Sequence, residues 1–596
     1  MKKETVLPLY EWFVRPADEG FCLSLASKLK ISSLSARLLY HRGVRSAEEG
    51  TQFLGTSLAH IRSPFLFRTM EPAVQRVVEA ILRKEKVLIY GDYDVDGLTG
   101  TAILIQFLRY AGLEPVYYIP DRLTEGYGFH PECVRRFHEK GVQLILTVDC
   151  GITAYEAVSL ANHLGVDVII TDHHACSDRL PPARAILNPK APEEEFPFRE
   201  LAGVGVAFYL LVALRMRLRE IGHWKSTPEP NLRSYLDLVA LGTLADMVPL
   251  QQENRIFVKF GLEEISASHR PGVCVLKELC GISGSVLKPR PLLYRMIPRI
   301  NAPGRLGHPL QALDILLCED PEEARCIARE MEDRNVRRRS VEEEVYKEAV
   351  ALAKELLRES DDTVLVLGAE KWHKGILGIV AARLVEKFHR PVVLLSFDGD
   401  AGKGSIRTTE DVDILDALFA CRSVLEDYGG HRVAAGITLK KQNMDRFQEV
   451  FSRAVQKQLG EEERKPRPLL LDFWLTSPVE LNDELVSEFD RLAPFGNGNG
   501  EPVVGLESVS ILDRRIVGKN HLKLTFGDAT RRFEAIGFGM GNESVMQSGQ
   551  DRWDLAFTPE REDWKGRSQI RLRILDIRPS GATPPLSDRF DTGVGP

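Results

Sequence analysis

The stretch that decides the fold is KVLIYGDYDVDG at residues 86–97, where an apolar run leads directly into three acidic residues. The run Val87–Tyr90 has the length and composition of a buried strand. Asp92, Asp94 and Asp96 follow at alternate positions, and alternate side chains of an extended chain point to the same side. We therefore expect three carboxylates to converge just past the end of this strand.

Three other apolar segments also lead into acidic or histidine residues. They are LILTVDCG (144–151) with Asp149, VDVIITDHH (166–174) with Asp172, His173 and His174, and LVALGTLADMVPL (238–250) with Asp246. Alone, GDYDVDG is also compatible with an exposed acidic turn, and the histidine pair with packed or surface side chains. The recurrence of such residues at several strand ends favours one shared site.

The pattern between Lys84 and Leu250 alternates short apolar strands with longer helices. The strand candidates are Val87–Tyr90, Val116–Ile119, Leu144–Val148 and Val168–Ile170, and the helix candidates are Thr99–Tyr110, Pro131–Lys140 and Ala154–Leu164. This alternation predicts an α/β fold with a doubly wound parallel sheet. Ligands of such sheets bind at the carboxyl ends of the strands, which is where the acidic residues fall.

The rest of the chain predicts several more domains, as the length of 596 residues also requires. Helical propensity without internal Gly or Pro predicts a long helix after Pro321, and a second α/β pattern follows it. Beyond Pro466, short strands spaced by turns favour a small β-barrel of the OB-fold type. We expect a cap region (1–72), a first α/β domain (73–255), a helical connector (256–360), a second α/β domain (361–462), an OB-fold-like domain (463–578) and a disordered tail (579–596).

Composition and charge exclude several classes of protein. The 44% hydrophobic and 27% charged shares are those of a globular chain rather than a collagen-like or disordered one. The longest apolar stretch, Val204–Leu214, is too short to span a bilayer, and no secretory signal follows the N-terminal lysines. We expect a cytoplasmic protein without a membrane partner. The net charge of −7 argues against polyanion binding over the whole surface but is compatible with a local basic channel.

The donor types at the strand ends indicate a metal centre. Carboxylates with imidazole, in the absence of thiolates, suit Mn²⁺ or Mg²⁺, and the residues are numerous enough for two ions. Two such ions can activate a water and neutralise the attacking and leaving oxygens of a phosphoryl displacement. The chemistry indicated is therefore phosphoester hydrolysis.

The four acidic motifs, in this order, resemble those of the DHH phosphoesterase superfamily. Further stretches resemble its branch of bacterial single-stranded-DNA-specific exonucleases, and together they extend from about residue 36 to about residue 575: LLYHRG (38–43), PDRLTEGYGFH (120–130), PRINAPGRLGHP (298–309), EKWHKGILGIVAARL (370–384), GKGSIRT (402–408), GGHRVAAG (429–436) and LAPFGNGNGEPVV (492–504). The resemblance implies a DHH domain, a DHH-associated domain facing it across a cleft, and a C-terminal OB-fold.

The resemblance also assigns roles to individual residues. It implies two Mn²⁺ or Mg²⁺ ions, with Asp149 as a bridging ligand and a full ligand set of Asp92, Asp94, Asp96, Asp149, His173 and Asp246. The implied catalytic residues are His174, Asp172 and Asp149. The residues expected at the DNA phosphates are Arg122, Arg305, Ser405, Arg407, Gly430 and His431, since guanidinium forks and glycine-rich turns suit phosphate oxygens. The sequence departs from the family's motifs at two positions. Pro303 stands where this family has alanine, and Tyr90 stands where other branches of the superfamily have a histidine that can bind metal.

The activity implied is metal-dependent hydrolysis of single-stranded DNA from the 5′ end, with release of 5′-mononucleotides. By the same resemblance we expect a monomer that works in recombination and repair with a single-strand-binding protein and a RecQ-like helicase. Two other hypotheses are a phosphodiesterase of short oligonucleotides or cyclic dinucleotides and a non-catalytic DNA-binding scaffold. The presence of the barrel and cap argues against the former, and the intact acidic motifs argue against the latter.

Overall fold

The computed structural model describes residues 10–267, 269–284, 286–359, 362–409, 411–460, 467–527, 532–541, 552–564, 567–581 and 584–586. These residues form two compact units. The α/β unit comprises residues 62–248 together with the described residues of 260–463. The barrel unit comprises residues 249–259 together with the described residues of 1–61 and 464–596.

The strands and helices of the described residues are numbered along the chain. The strands are β1 (Tyr10–Val14), β2 (Val87–Gly91), β3 (Val116–Tyr118), β4 (Leu144–Val148), β5 (Asp167–Thr171), β6 (Ala185–Leu187), β7 (Leu365–Ala369), β8 (Val392–Asp398), β9 (Ala401–Arg407), β10 (Asp427–His431), β11 (Ala434–Lys440), β12 (Arg467–Leu471), β13 (Phe473–Leu475), β14 (Val504–Val517), β15 (His521–Gly527), β16 (Arg532–Gly537), β17 (Arg552–Trp564) and β18 (Arg567–Pro579). The helices are α1 (Glu19–Leu29), α2 (Ser33–His41), α3 (Ala47–Leu54), α4 (Met70–Arg83), α5 (Val95–Tyr110), α6 (Pro131–His138), α7 (Tyr155–His163), α8 (Gly203–Glu220), α9 (Leu236–Ala245), α10 (Gln252–Ala267), α11 (Pro271–Leu279), α12 (Pro289–Pro291), α13 (Ile297–Arg305), α14 (Pro309–Leu317), α15 (Pro321–Glu359), α16 (Leu377–Phe388), α17 (Ile414–Ala420), α18 (Met444–Leu459) and α19 (Asp483–Asp490).

The first sheet is parallel throughout and has the strand order β3-β2-β4-β5-β6. The four predicted strands are confirmed to within one residue at each end. The fifth strand, β6, is only three residues long and was not predicted, because so short an apolar run carries no periodicity. Since β2, β4 and β5 are neighbours, the segments that follow them leave the sheet at one edge.

Two apolar helices lie behind this edge. α8 contains the apolar stretch Val204–Leu214, whose side chains are almost all buried, and every residue of α9 except the last, Ala245, is buried. Both pack on α5, which follows the acidic motif of β2. A helix that is apolar on all sides needs a buried position, and these helices find it inside the α/β unit. No described helix combines the length and apolarity that a membrane span requires.

The predicted long helix is confirmed as α15, which spans 39 residues and leads to a second, mixed sheet. That sheet has the order β10-β11-β9-β8-β7, with only β7 and β8 parallel. One face is covered by α16 and part of α15, and the other by α17 and α18. The second α/β pattern is therefore confirmed, and both sheets lie within the α/β unit.

The barrel unit confirms the predicted OB-fold-like barrel. Its strands β14, β15, β16, β18 and β17 form a ring that closes through pairing of β14 with β17. N-terminal residues such as Leu25 and Leu38 share one core with barrel residues such as Phe526 and Phe557. The association of the N-terminal helices with the barrel arises because the short helices α1 and α2 bury their apolar faces there. Most of the predicted C-terminal tail lies outside the described residues.

Candidate metal and phosphate site

The acidic motifs converge at the carboxyl edge of the first sheet. Asp92 follows β2 and its N–H donates to Val148 O at 3.1 Å, while Asp149 follows β4 and its N–H donates to Thr171 O at 2.9 Å. The ladder of the sheet therefore continues into both acidic residues and sets the direction in which the chain leaves. Asp246 comes from a different kind of element, because it caps the carboxyl end of α9.

Three overlapping sets of side chains bring their ligand atoms within 4.8 Å of one another. The sets are Asp92, Asp94 and Asp149; Asp96, His173 and Asp246; and Asp149, His173 and His174. Every residue of the expected ligand set belongs to at least one of them. Asp149 and His173 each belong to two of these sets.

Several buried polar atoms at this centre have no hydrogen-bond partner among the described residues. They are Asp92 Oδ1, Asp149 Oδ1 and both ring nitrogens of His173. His173 Nε2 lies 3.1 Å from Asp149 Oδ1 and 3.5 Å from Asp246 Oδ2. Unsatisfied buried oxygens and nitrogens cost free energy unless another group binds them. Carboxylate and imidazole donors arranged in this way fit divalent cations.

The electrostatics of the cluster also fit a cation. Burial and the neighbouring carboxylates raise the pKa values of Asp92, Asp149 and Asp246 well above their usual range. Burial, followed by the charge of Asp94, raises the pKa of Asp96 to about 7. Burial and the charge of His174 lower the pKa of His173 to about 3, which keeps its imidazole neutral and able to ligate. Closely spaced carboxylates repel one another, which raises their pKa values. A bound divalent cation attracts them and lowers those pKa values again.

Two of the carboxylates also hold helix ends. Asp94 Oδ1 accepts hydrogen bonds from the N–H groups of Asp96 at 3.0 Å and Gly97 at 3.2 Å, at the start of α5. Asp96 accepts from Gly203 N–H at 2.7 Å and Val204 N–H at 2.9 Å, at the start of α8. Helix N-termini favour negative charge, and a carboxylate has further lone pairs for an ion. These caps fix both carboxylates in the cluster.

A methyl group on Gly203 is expected to disturb the metal centre directly. Its Cβ would lie 2.7 Å from Asp149 Oδ1 and 2.8 Å from Asp149 Cβ. We expect Gly203→Ala to raise the Mn²⁺ concentration needed for half-maximal nuclease activity by about 10- to 100-fold, as shifts of supporting residues do at other metal sites. Gly436→Ala is the matched control, because its Cβ would find only Gly404 O at 3.9 Å. An unchanged Mn²⁺ requirement in Gly203→Ala would contradict the placement of Asp149 at the metal.

His174 is held from behind by Asp172. Its Nδ1 lies 2.7 Å from Asp172 Oδ1, and the same carboxylate accepts the N–H groups of Ile152 and His173. Burial lowers the pKa of His174, but the hydrogen bond and charge of Asp172 outweigh it and raise that pKa to about 9. The structure thus brings the predicted His174 to the cluster, with Asp172 orienting it.

Tyr127 also belongs to this arrangement, although the sequence motifs assign it no role. Its hydroxyl lies 3.1 Å from His174 Nδ1 and donates to Asp149 O at 3.3 Å. Its signal in the sequence is its position between Gly126 and Gly128. In the structure both glycines have positive φ, of 82° and 109°. Such a turn presents the side chain between them at a defined angle.

Three guanidinium groups form a second feature beside the metal centre. Arg305 Nη1 donates to Gly375 O at 3.3 Å, Arg407 Nη1 donates to Ile406 O at 2.7 Å, and Arg122 lies over the ring of Tyr93 at 5.0 Å. Among the described residues none of the three forms an ion pair with a carboxylate. Burial, followed by the charges of neighbouring arginines, lowers the pKa of Arg305 to about 9 and that of Arg407 to about 10. Such a cluster of unpaired cations favours a bound anion.

The second sheet contributes the remaining predicted residues. Ser405 and Arg407 lie two positions apart on β9 and so share one side of the strand. His431 stacks on His174 with ring centroids 5.6 Å apart and an interplanar angle of 17°. Gly430 has φ of 149°, and a Cβ there would lie 2.4 Å from Ala434 O, so only glycine fits beside His431. The second sheet thus reaches the metal centre through His431.

Family models match three parts of the chain. Residues 86–243 match the DHH family, N-terminal domain, residues 361–457 match the DHHA1 domain, and residues 474–576 match the RecJ OB domain. The first two ranges contain the first and the second sheet, and the third covers the barrel except for the end of β18.

Curated relatives and solved structures agree with these matches. The chain is 35% identical over 575 residues to the single-stranded-DNA-specific exonuclease RecJ of Bacillus subtilis, covering 95% of this chain and 70% of that protein. It is 35% identical to RecJ of Escherichia coli, covering 92% and 96%. The crystal structure of RecJ from Thermus thermophilus in complex with Mn²⁺ matches with a TM-score of 0.80 at 30% identity, covering 96% of this chain and 80% of that one. The chain therefore belongs to the RecJ family of single-stranded-DNA-specific exonucleases.

Proposed function

We propose that this chain is a metal-dependent exonuclease that hydrolyses single-stranded DNA in the 5′-to-3′ direction and releases 5′-mononucleotides. The observation that carries the proposal is the juxtaposition of two sites. Buried oxygen and nitrogen atoms around Asp149 lack hydrogen-bond partners among the described residues. Three guanidinium groups, likewise without a carboxylate partner in the described part of the chain, lie beside them. A phosphodiester at the first site and a terminal phosphate at the second satisfy both. Family membership supports the same substrate.

Two divalent cations, Mn²⁺ or Mg²⁺, are proposed to bind the residues of the three overlapping sets. The residues that would hold them are Asp92, Asp94, Asp96, Asp149, His173 and Asp246, with Asp149 available to both ions. When bound, such ions supply Lewis-acid activation of water and neutralise charge on the phosphate oxygens.

The protein's own residues bind and orient the DNA. His174, held by Asp172, would place its imidazole ring at the scissile phosphate, where negative charge increases during hydrolysis. Arg122, Arg305 and Arg407, with Ser405, hold the terminal phosphate and so set the distance from the 5′ end to the metal centre. Fixing that distance explains release of one nucleotide at a time.

Selectivity for single strands is proposed to arise from the approach of the second sheet to the first. The stacking of His431 on His174 narrows the space above the metal centre. An unpaired strand can enter such a space in extended form, whereas a duplex is excluded by its width. Gly429 and Gly430 allow backbone N–H groups of β10 to approach the DNA backbone.

The cellular setting follows from family membership alone. We propose a cytoplasmic monomer that acts in DNA recombination and repair, with a single-strand-binding protein and a RecQ-like helicase delivering the substrate.

The proposal is tested with a single-stranded DNA of about 40 nucleotides, which is longer than the stretch that one binding groove holds. The strand is labelled at its 5′ end in one experiment and at its 3′ end in another. We expect Mn²⁺-dependent release of mononucleotide from the 5′-labelled strand while the 3′ label stays on long products, and no activity after chelation of the metal. A blunt duplex of the same sequence is the control and should stay intact.

Other outcomes would point to other functions. Hydrolysis of dinucleotides without attack on the long strand would replace the proposal with a small-substrate phosphodiesterase. Binding of the long strand without any metal-dependent cleavage would indicate a non-catalytic scaffold.

A further inference from the structure

The hydroxyl of Tyr127 lies between Asp149 of the metal centre and the ring of His174. It donates to the backbone carbonyl of Asp149 at 3.3 Å and lies 3.1 Å from His174 Nδ1. The Tyr127 ring also meets the His174 ring edge-on, with centroids 5.5 Å apart. One side chain thus contacts the central metal ligand and the catalytic histidine at once.

The contact with Asp149 has a specific reason. Asp149 has φ of 60°, in the left-handed region that costs free energy for residues other than glycine. Its N–H is fixed by Thr171 O at 2.9 Å, so the peptide on its carboxyl side is the one free to rotate. Tyr127 holds that carbonyl. The hydrogen bond therefore stabilises the backbone conformation that directs the Asp149 carboxylate into the ligand cluster.

The contact with His174 complements that of Asp172. His174 Nδ1 lies between two oxygens, Asp172 Oδ1 at 2.7 Å and Tyr127 Oη at 3.1 Å. With the Tyr127 hydroxyl proton directed to Asp149 O, its lone pairs face the imidazole N–H. Two acceptors on Nδ1 keep the proton there and leave Nε2 directed away from Asp172.

The loop that carries Tyr127 is itself anchored to the first sheet. The buried Tyr90 of β2 donates its hydroxyl to Gly128 O at 2.7 Å. Tyr118 of β3 donates to the Glu125 carboxylate at 2.8 Å, two residues before Tyr127. Tyr127 itself is 44% exposed, so burial does not fix it; the hydrogen bonds at its hydroxyl and the anchored turn do.

Resting on the function proposed above, we propose that Tyr127 is a positioning residue that holds both the backbone of Asp149 and the ring of His174. It touches neither the reacting phosphate nor the metal in this role. Its removal should therefore lower turnover and metal affinity together, and leave the strength of DNA binding unchanged.

The test is Tyr127→Phe, which removes one oxygen and keeps the ring. We expect kcat on single-stranded DNA to fall by about 10- to 100-fold with KM little changed, as for residues that support metal ligands elsewhere. We also expect weaker binding of Mn²⁺ itself, measured by calorimetric titration without DNA. The thermal unfolding temperature should stay near that of the parent protein, since phenylalanine keeps the ring and its packing.

The matched control is Tyr110→Phe, because the Tyr110 hydroxyl also donates to a backbone carbonyl, Pro228 O at 2.8 Å, on an exposed part of the same unit. It should change neither kcat nor Mn²⁺ binding. Unchanged Mn²⁺ affinity in Tyr127→Phe would overturn the Asp149 half of the inference, and unchanged kcat the His174 half. A rise in KM alone would overturn both, by making Tyr127 a DNA contact.

The parent protein separates this inference from the proposed function. If the parent binds Mn²⁺ but does not cleave single-stranded DNA, the proposed function fails. The Mn²⁺ titrations of the two tyrosine variants still decide the role of Tyr127 at Asp149 in that case.

Discussion

We expect replacement of Asp149 with asparagine to lower cleavage of single-stranded DNA by about 1,000-fold or more, which corresponds to about 4 kcal/mol of transition-state stabilisation. Asp149 belongs to two of the three ligand sets, so its loss affects both proposed ions. Asparagine is chosen because it tolerates the left-handed backbone that Asp149 adopts, with φ of 60°. The rate is measured by single-turnover cleavage of a 5′-labelled strand, and DNA affinity by fluorescence anisotropy.

We expect DNA binding to be nearly unchanged in this variant, since the arginine cluster is intact. Asp178→Asn is the control; Asp178 is exposed and belongs to none of the ligand sets found among the described residues. Cleavage by Asp149→Asn at a rate near that of the parent would show that the metal centre has been placed on the wrong residues.

We expect replacement of Arg305 with glutamine to weaken binding of a 5′-phosphorylated single strand by about 10- to 100-fold, the value of one or two charge-assisted hydrogen bonds. Arg305 has no carboxylate partner among the described residues, and Arg122, Arg338 and Arg407 oppose its charge. The guanidinium is therefore held ready for an anion. Dissociation constants for the same strand with a 5′-phosphate and with a 5′-hydroxyl measure the effect, which should be larger for the phosphate.

The same variant should not lower the thermal unfolding temperature. Burial and the neighbouring arginines disfavour the charge of Arg305 in the absence of an anion, so removing it relieves repulsion. Arg325→Gln is the control, because Arg325 pairs with Glu322 on the surface of α15. Equal loss of affinity for the phosphorylated and hydroxyl-ended strands would show that Arg305 acts on the DNA backbone and not on the terminal phosphate.

Part of the site could be predicted from local sequence because a parallel sheet obeys simple rules. Each strand was visible as an apolar run, and the residues after neighbouring parallel strands must meet at one edge. Asp92, Asp149 and His173 could therefore be placed together without coordinates. Asp246 was harder to place at the site from the sequence. Its apolar segment is a buried helix that is hydrophobic on all sides, so the sequence pattern does not show which face points to the site.

The sequence by itself determined the strand and helix pattern, the barrel, and the types of donor at the site, since all of these follow from local periodicity and composition. Only the tertiary structure decided which distant groups touch. Asp96 caps α8 from 107 residues away, Tyr127 reaches the carbonyl of Asp149, and the N-terminal helices pack on the barrel. Such contacts depend on how whole elements pack against one another. The local sequence shows that each element has an apolar face to bury, but it does not show which other element covers that face.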